Sequence, residues 1–133
     1  MYLTANVVPQ AFILIQFANS IAILLVVAGV AVAASGVHAF KKAQTTVNPM
    51  TPEKSSSLVR NGIYRVTRNP MYLGFLLTVI AFGFYLQNLL AFIWSPAFIL
   101  YMNTFQIKPE ETMLADIFGD EFANFKTQVR RWI

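Results

Sequence analysis

Residues 68–111 read RNPMYLGFLLTVIAFGFYLQNLLAFIWSPAFILYMNTFQIKPEE, and this stretch decides the fold. Between Arg68 and Lys108 no side chain carries a charge. One helical crossing of a bilayer takes about 20 apolar residues, so the block is long enough for two. Gln87-Asn88 is the polar point at its middle and the predicted turn. A double crossing returns the chain to the face it left. Arg68-Asn69-Pro70-Met71-Tyr72-Leu73-Gly74 and Pro109-Glu110-Glu111 are therefore expected at one membrane face, a geometry that suits an embedded site better than a simple anchor.

The rest of the composition agrees. Of 133 residues, 56% are hydrophobic and 12% are charged, whereas a soluble domain is typically about 25% charged. Residues 11–36 also lack a charged side chain. They are too many for a signal-peptide core and are read as a retained membrane helix. The expectation is one all-α domain over residues 1–133, a polytopic bundle of about three membrane helices near 10–43, 70–86 and 89–106. A cytoplasmic loop, 44–69, and an amphipathic cytoplasmic tail, 107–133, complete it. Asn19-Ser20 leaves open whether 10–43 is one helix or two.

Charge placement sets the orientation. Lys41, Lys42, Lys54, Arg60, Arg65 and Arg68 fall between the first apolar segment and the second, opposed only by Glu53. By the positive-inside rule this loop is cytoplasmic and the N-terminus faces out. The lysines suit contact with anionic lipid headgroups. Nucleic acid is not an expected partner, because the basic residues sit at a membrane edge. The chain has no cysteine, so disulfides, thiolate metal sites and cysteine nucleophiles are excluded. Its single histidine, His38, rules out a histidine metal cluster within one chain, and no metal site is expected.

Local signals mark the elements. Asn69 suits a helix N-cap and Pro70 the first helical position. Pro96 is expected as a kink, Pro109 as a new helix start, and Gly119 as a helix stop before Asp120 caps the last helix. Asn48-Pro49 and Thr51-Pro52 break regular structure, Lys54–Arg60 suits one helical turn, and Asn61-Gly62 is a turn signal. Ala28, Gly29, Ala31, Ala33, Ala34 and Gly36 let the first helix approach a partner closely, either within the bundle or in a homo-oligomer. Trp132 beside Arg130 and Arg131 suits the headgroup layer.

Each chemical reading has a plain structural rival. Arg68 at a helix start can hold a carboxylate or phosphate with the free N–H groups of the first turn, or simply snorkel. Glu110 and Glu111 in a first turn satisfy the helix dipole. One of them can also accept hydrogen bonds from ribose hydroxyls or balance a cationic ligand, while the other draws loop arginines over the site. Tyr64, Tyr72 and His38 read first as interfacial or packed residues.

Taken together, Gly62-Ile63-Tyr64-Arg65, Arg68-Asn69-Pro70-Met71-Tyr72-Leu73-Gly74, Pro109-Glu110-Glu111, Phe118-Gly119-Asp120-Glu121-Phe122 and Val129-Arg130-Arg131-Trp132 resemble the isoprenylcysteine carboxyl methyltransferase and phospholipid methyltransferase superfamily. Thr45-Thr46-Val47-Asn48-Pro49 is similar to the loop of its small bacterial members. The resemblance runs from about residue 35 to the end. It implies an integral-membrane methyltransferase using S-adenosylmethionine on a lipid-like or isoprenoid acceptor. It places Arg68, Asn69, Pro70, Tyr72, Gly74, Glu110 and Glu111 at the cofactor. Two departures stand out. Many eukaryotic relatives carry His at the place of Asn69, and the N-terminal part is short, so a substrate-covering helix is expected to be either missing or supplied by a neighbour.

Methyl transfer to a carboxylate needs alignment more than acid–base help, and Arg65 or Arg68 would orient that acceptor. An amine acceptor needs a base, for which Glu111 is the candidate. Two rivals stay open at this point. One is a non-catalytic membrane scaffold of the same fold. The other is a nicotinamide-dependent membrane reductase, whose Arg-x-Pro-x-Tyr motif is related.

Overall fold

A computed structural model of the protein describes residues 16–43 and 58–133, together with Met1 and Leu3. The described residues are helical and form no strand. Five α-helices follow one another: α1 (Ala18–Lys42), α2 (Pro70–Leu86), α3 (Trp94–Tyr101), α4 (Lys108–Phe118) and α5 (Asp120–Gln128). A 3₁₀ turn, Gly62–Arg65, precedes α2. A second, Leu89–Ile93, leads into α3, and a π-helical segment, Met102–Ile107, joins α3 to α4.

α1 is 25 residues long and Leu89–Phe118 is a 30-residue helical stretch; their most apolar 18-residue windows have mean hydropathies of 2.5 and 1.3, so both are long and apolar enough to cross a membrane. α2 has 17 residues, about 26 Å of helix, at the short limit for a crossing. The 30-residue stretch exceeds one crossing, and its first charge, Lys108, marks where it leaves the apolar layer. α1 begins at Ala18, where the left-handed Phe17 (φ 65°) interrupts the helix. The expected residues 10–15 of that helix, and the Thr45–Pro49 and Thr51-Pro52 motifs, lie outside the described residues.

α1 and α2 pack through small residues. A Cβ on Gly29 would lie 2.6 Å from the carbonyl oxygen of Gly74, and one on Gly74 would strike Gly29 and Ala33. One turn of heptad away, a Cβ on Gly36 would meet the Pro70 ring at 2.7 Å. So this face of the first helix is taken by α2, while Ile23, Leu24, Val27 and Val30 point outward, as lipid-facing residues do. At the far end, Gln87 closes α2 in the left-handed conformation (φ 49°). Asn88, expected at an exposed tip, is fully buried, and its Oδ1 accepts the Leu90 N–H (3.0 Å). Phe92 packs on Gly83 and edge-on to Phe84.

The third membrane segment differs most from expectation. It does not end at 106. The π segment carries it past Pro109 without a break, because the wider turn accommodates the hydrogen bond that proline cannot donate. Pro96 lies in the first turn of α3, where a missing N–H costs little. Gly119 (φ 55°) then breaks the chain into α5, as its sequence context predicts, and occupies the N-cap position itself, with Asp120 as the first helical residue. Leu58–Arg60 is not helical, residues 54–57 of the expected turn lie outside the described residues, and a 3₁₀ turn forms at Gly62–Arg65. Outside the apolar layer Val59, Tyr64, Phe122, Phe125 and Val129 make a small separate core, flanked by Phe40 and Leu114. That core folds the C-terminal residues back over the start of α2.

Candidate active site

The site is built where three chain segments converge: the start of α2, the first turn of α4, and the C-terminal residues 130–132. Arg68 and Glu111, 43 residues apart, form an ion pair at 2.8 Å. Both side chains are nearly buried, at 11% and 14% exposure. Arg131 adds a fork on the same carboxylate, from Nε to Oε1 (3.1 Å) and from Nη2 to Oε2 (2.7 Å). Glu111 therefore accepts three charged hydrogen bonds, out of about four lone-pair positions in a carboxylate.

Glu110 has different surroundings. Its Oε2 accepts the Tyr72 hydroxyl at 2.9 Å. Among the described residues no lysine or arginine pairs with it, since both guanidinium groups go to Glu111. Burial raises its carboxyl pKa well above the ordinary carboxylate range, against the downward pull of the Tyr72 hydrogen bond, and the nearby Glu111 charge adds to the rise. Tyr64, buried under Phe40 (rings 5.5 Å apart, edge to face), lies close enough for Glu110 to act on it. Burial, then the Glu110 charge, raises the Tyr64 phenol pKa. Burial also lowers the Arg68 pKa, although Glu111 opposes this. The Arg68 Nε is buried with no hydrogen-bond partner among the described residues.

The backbone holds these groups in register. The Arg68 N–H donates to Arg130 O (3.1 Å). The Arg131 carbonyl accepts from the Asn69 Nδ2 (2.9 Å) and from the Thr67 hydroxyl (3.3 Å). Asn103, in the π segment, accepts from the Trp132 indole N–H (3.1 Å) and, at the limit, from the Arg131 Nη1 (3.5 Å).

The predicted site residues are only partly brought together. Arg68, Asn69, Tyr72, Glu110 and Glu111 meet. Asn69 holds the cap position but does not cap; its side chain ties the C-terminal segment instead, while its own N–H donates to Thr67 Oγ1 (3.1 Å). Pro70 and Gly74 are turned to α1, as packing residues of the helix crossing. Arg65 is exposed and lines a separate cleft of about 360 Å³ with Arg60, Asn61 and Gln128. Glu111, the expected base for an amine acceptor, lies between Arg68 and Arg131.

Sequence reasoning missed Arg131, Trp132 and Asn103 as members of the cluster. The available signal was Asn103, a polar residue within an apolar membrane helix, which is costly unless it has a partner. Trp132 does not sit as a free headgroup anchor: its N–H is satisfied by Asn103 and its ring lies 6.4 Å from that of Phe98.

A protein of Haemophilus influenzae, named only as uncharacterized, is 48% identical over 63 residues, which are 47% of this chain and 100% of that protein. No solved structure matches the chain. The model of the phospholipid methyltransferase family matches residues 17–121, which take in both polar motifs. On that match, and with an all-helical membrane fold, the chain belongs to the phospholipid methyltransferase family, a family of membrane methyltransferases.

Proposed function

We propose that the protein is an S-adenosylmethionine-dependent methyltransferase that acts on a lipid-like or isoprenoid acceptor, bearing a carboxylate or an amine, at the cytoplasmic face of the membrane. The observation that carries this reading is Glu110: a partly buried acid with one hydroxyl donor and no cationic partner among the described residues. A buried carboxylate without a counter-charge is costly, and a cationic ligand would supply one. The donor set supports the fit. Glu110 would face the positive end of the cofactor, and Arg68, whose Nε lacks a partner, would face its carboxylate. Tyr64 and Tyr72 add phenol surfaces, and the first turn of α2 adds amide N–H groups that have no acceptor within the helix.

When bound, the cofactor supplies a methyl group on a positively charged sulfur, which the acceptor takes as the neutral thioether leaves. The chain's own work is placement and exclusion of water. The 130–132 segment covers the start of α2, and the lipid-facing sides of the helices give an apolar acceptor a sideways approach. The placement of basic residues supports an N-terminus outside and a C-terminus inside.

Calorimetric titration of detergent-purified protein with S-adenosylmethionine and S-adenosylhomocysteine tests the reading. Saturable binding of both, lost in Glu110→Ala and Arg68→Ala, is the expected result. Absence of binding to folded wild-type protein would reject it, and a nicotinamide titration would then separate a reductase from a scaffold.

A further inference from the structure

Arg68 and Arg131 share one carboxylate but do not treat it alike. Arg68 reaches Glu111 by a single contact from Nη1, whereas Arg131 grips both oxygens with the planar edge of its guanidinium. A two-point grip fixes the orientation of a carboxylate as well as its position. Arg131 is itself fixed. Its carbonyl holds the Asn69 amide and the Thr67 hydroxyl, its neighbour Arg130 accepts the Arg68 N–H, and Trp132 bonds Asn103. The order of dependence runs from the C-terminal segment to Glu111 and from Glu111 to Arg68. At the end of that chain one donor is left over: the buried Nε of Arg68.

We infer that Arg131 is a positioning residue, holding Glu111 so that Arg68 presents its free Nε edge to an acidic group of the ligand. This rests on the cofactor reading above, in which that group is the carboxylate of the cofactor's amino-acid end. Arg131 need not touch the ligand. Its contribution is to stop Glu111 from rotating and drawing Arg68 out of line.

The discriminating probes are S-adenosylhomocysteine and 5′-methylthioadenosine, which lacks the amino-acid end. Both are titrated calorimetrically into wild type, Arg131→Ala, Arg131→Lys, Glu111→Gln and the double variant Glu111→Gln/Arg131→Ala. Arg131→Ala should weaken S-adenosylhomocysteine by about tenfold, the scale of one charged hydrogen-bonding contact, and leave methylthioadenosine unchanged. Arg131→Lys keeps the charge but loses the fork, so it should fall between. The double variant should be no weaker than Glu111→Gln alone, because Arg131 acts through Glu111. Equal loss of both ligands in Arg131→Ala and Arg131→Lys would make Arg131 a general structural residue and overturn the inference. So would unchanged binding of S-adenosylhomocysteine, or additive losses in the double variant. A wild type that binds neither probe rejects the cofactor reading and the inference with it. A wild type that binds both, with variants that depart from this pattern, rejects the inference alone.

Discussion

The α1–α2 contact and the polar cluster at its end are both held tightly, by opposite means. Where the helices cross, Gly29 and Gly74 bring backbones together. The hydroxyls nearby stay at home: Ser35 returns its hydrogen bond to Ala31 O (2.7 Å) and Thr78 to Gly74 O (3.1 Å), each within its own helix. In lipid there is no hydrophobic gain from pairing two apolar helices, so close van der Waals approach carries the contact. A few ångströms along, Arg68, Glu111 and Arg131 are held almost wholly by charge-assisted hydrogen bonds between distant segments. Small-residue packing tolerates sliding among similar registers. A forked ion pair does not, and that is why the orienting work falls to the cluster.

The comparison can be broken at either end. The largest effect is expected from Glu111→Ala. It leaves the nearly buried Arg68 guanidinium facing the partly exposed one of Arg131, and removing one partner of such a cluster costs about 3 kcal/mol. The thermal midpoint in detergent should fall sharply, and a wild-type midpoint would show that water already neutralises the cluster. Gly74→Ala comes next. Its Cβ meets backbone and not a flexible side chain, so the helices must separate, at about 2 kcal/mol. The midpoint should fall with ligand binding retained in the surviving folded fraction. A midpoint unchanged from wild type would mean that α1 and α2 part freely.

The smallest effect sharpens the contrast within the acidic pair. The Glu110 carboxyl has a higher pKa folded than unfolded, so the folded state holds its proton more tightly. Its contribution is most favourable at low pH. Stability should then decline as pH rises from the unfolded carboxyl's value, about 4.3, through the higher folded value. Thermal midpoints of wild type and Glu110→Gln across that range measure it: the decline should flatten in the variant. An identical profile in the two proteins would assign the slope to another group.

The sequence made the architecture legible because local rules act there. An apolar run, Asn69-Pro70 at its start and Gly119 beyond its end located α2 and the α4–α5 break. The rest depended on contacts that no local rule encodes. Glu111 meets residues 20 and 43 positions away, so nothing in periodicity could show that Arg131 belongs to the cluster and Arg65 does not. Gly74 was legible as a glycine in a motif. Whether it served a ligand or a helix neighbour depended on the direction it faces. Pro109 suited a helix start and sits in the first turn of α4, but the π turn that joins that helix to α3 left no local signal.

That π turn has a consequence for how such a site is aimed. It takes up one residue more than an α-turn, a residue that in regular α winding would rotate everything downstream by about 100° around the helix axis. Glu110 and Glu111 point where they do because the Met102–Ile107 turn is wide. Winding the same residues as a regular α-helix would swing both acids off the cluster, with no change to either acid or to the arginines. The turn works as an indexing ring: the chemistry is written on one segment of helix, and its bearing is set by the count of residues in another.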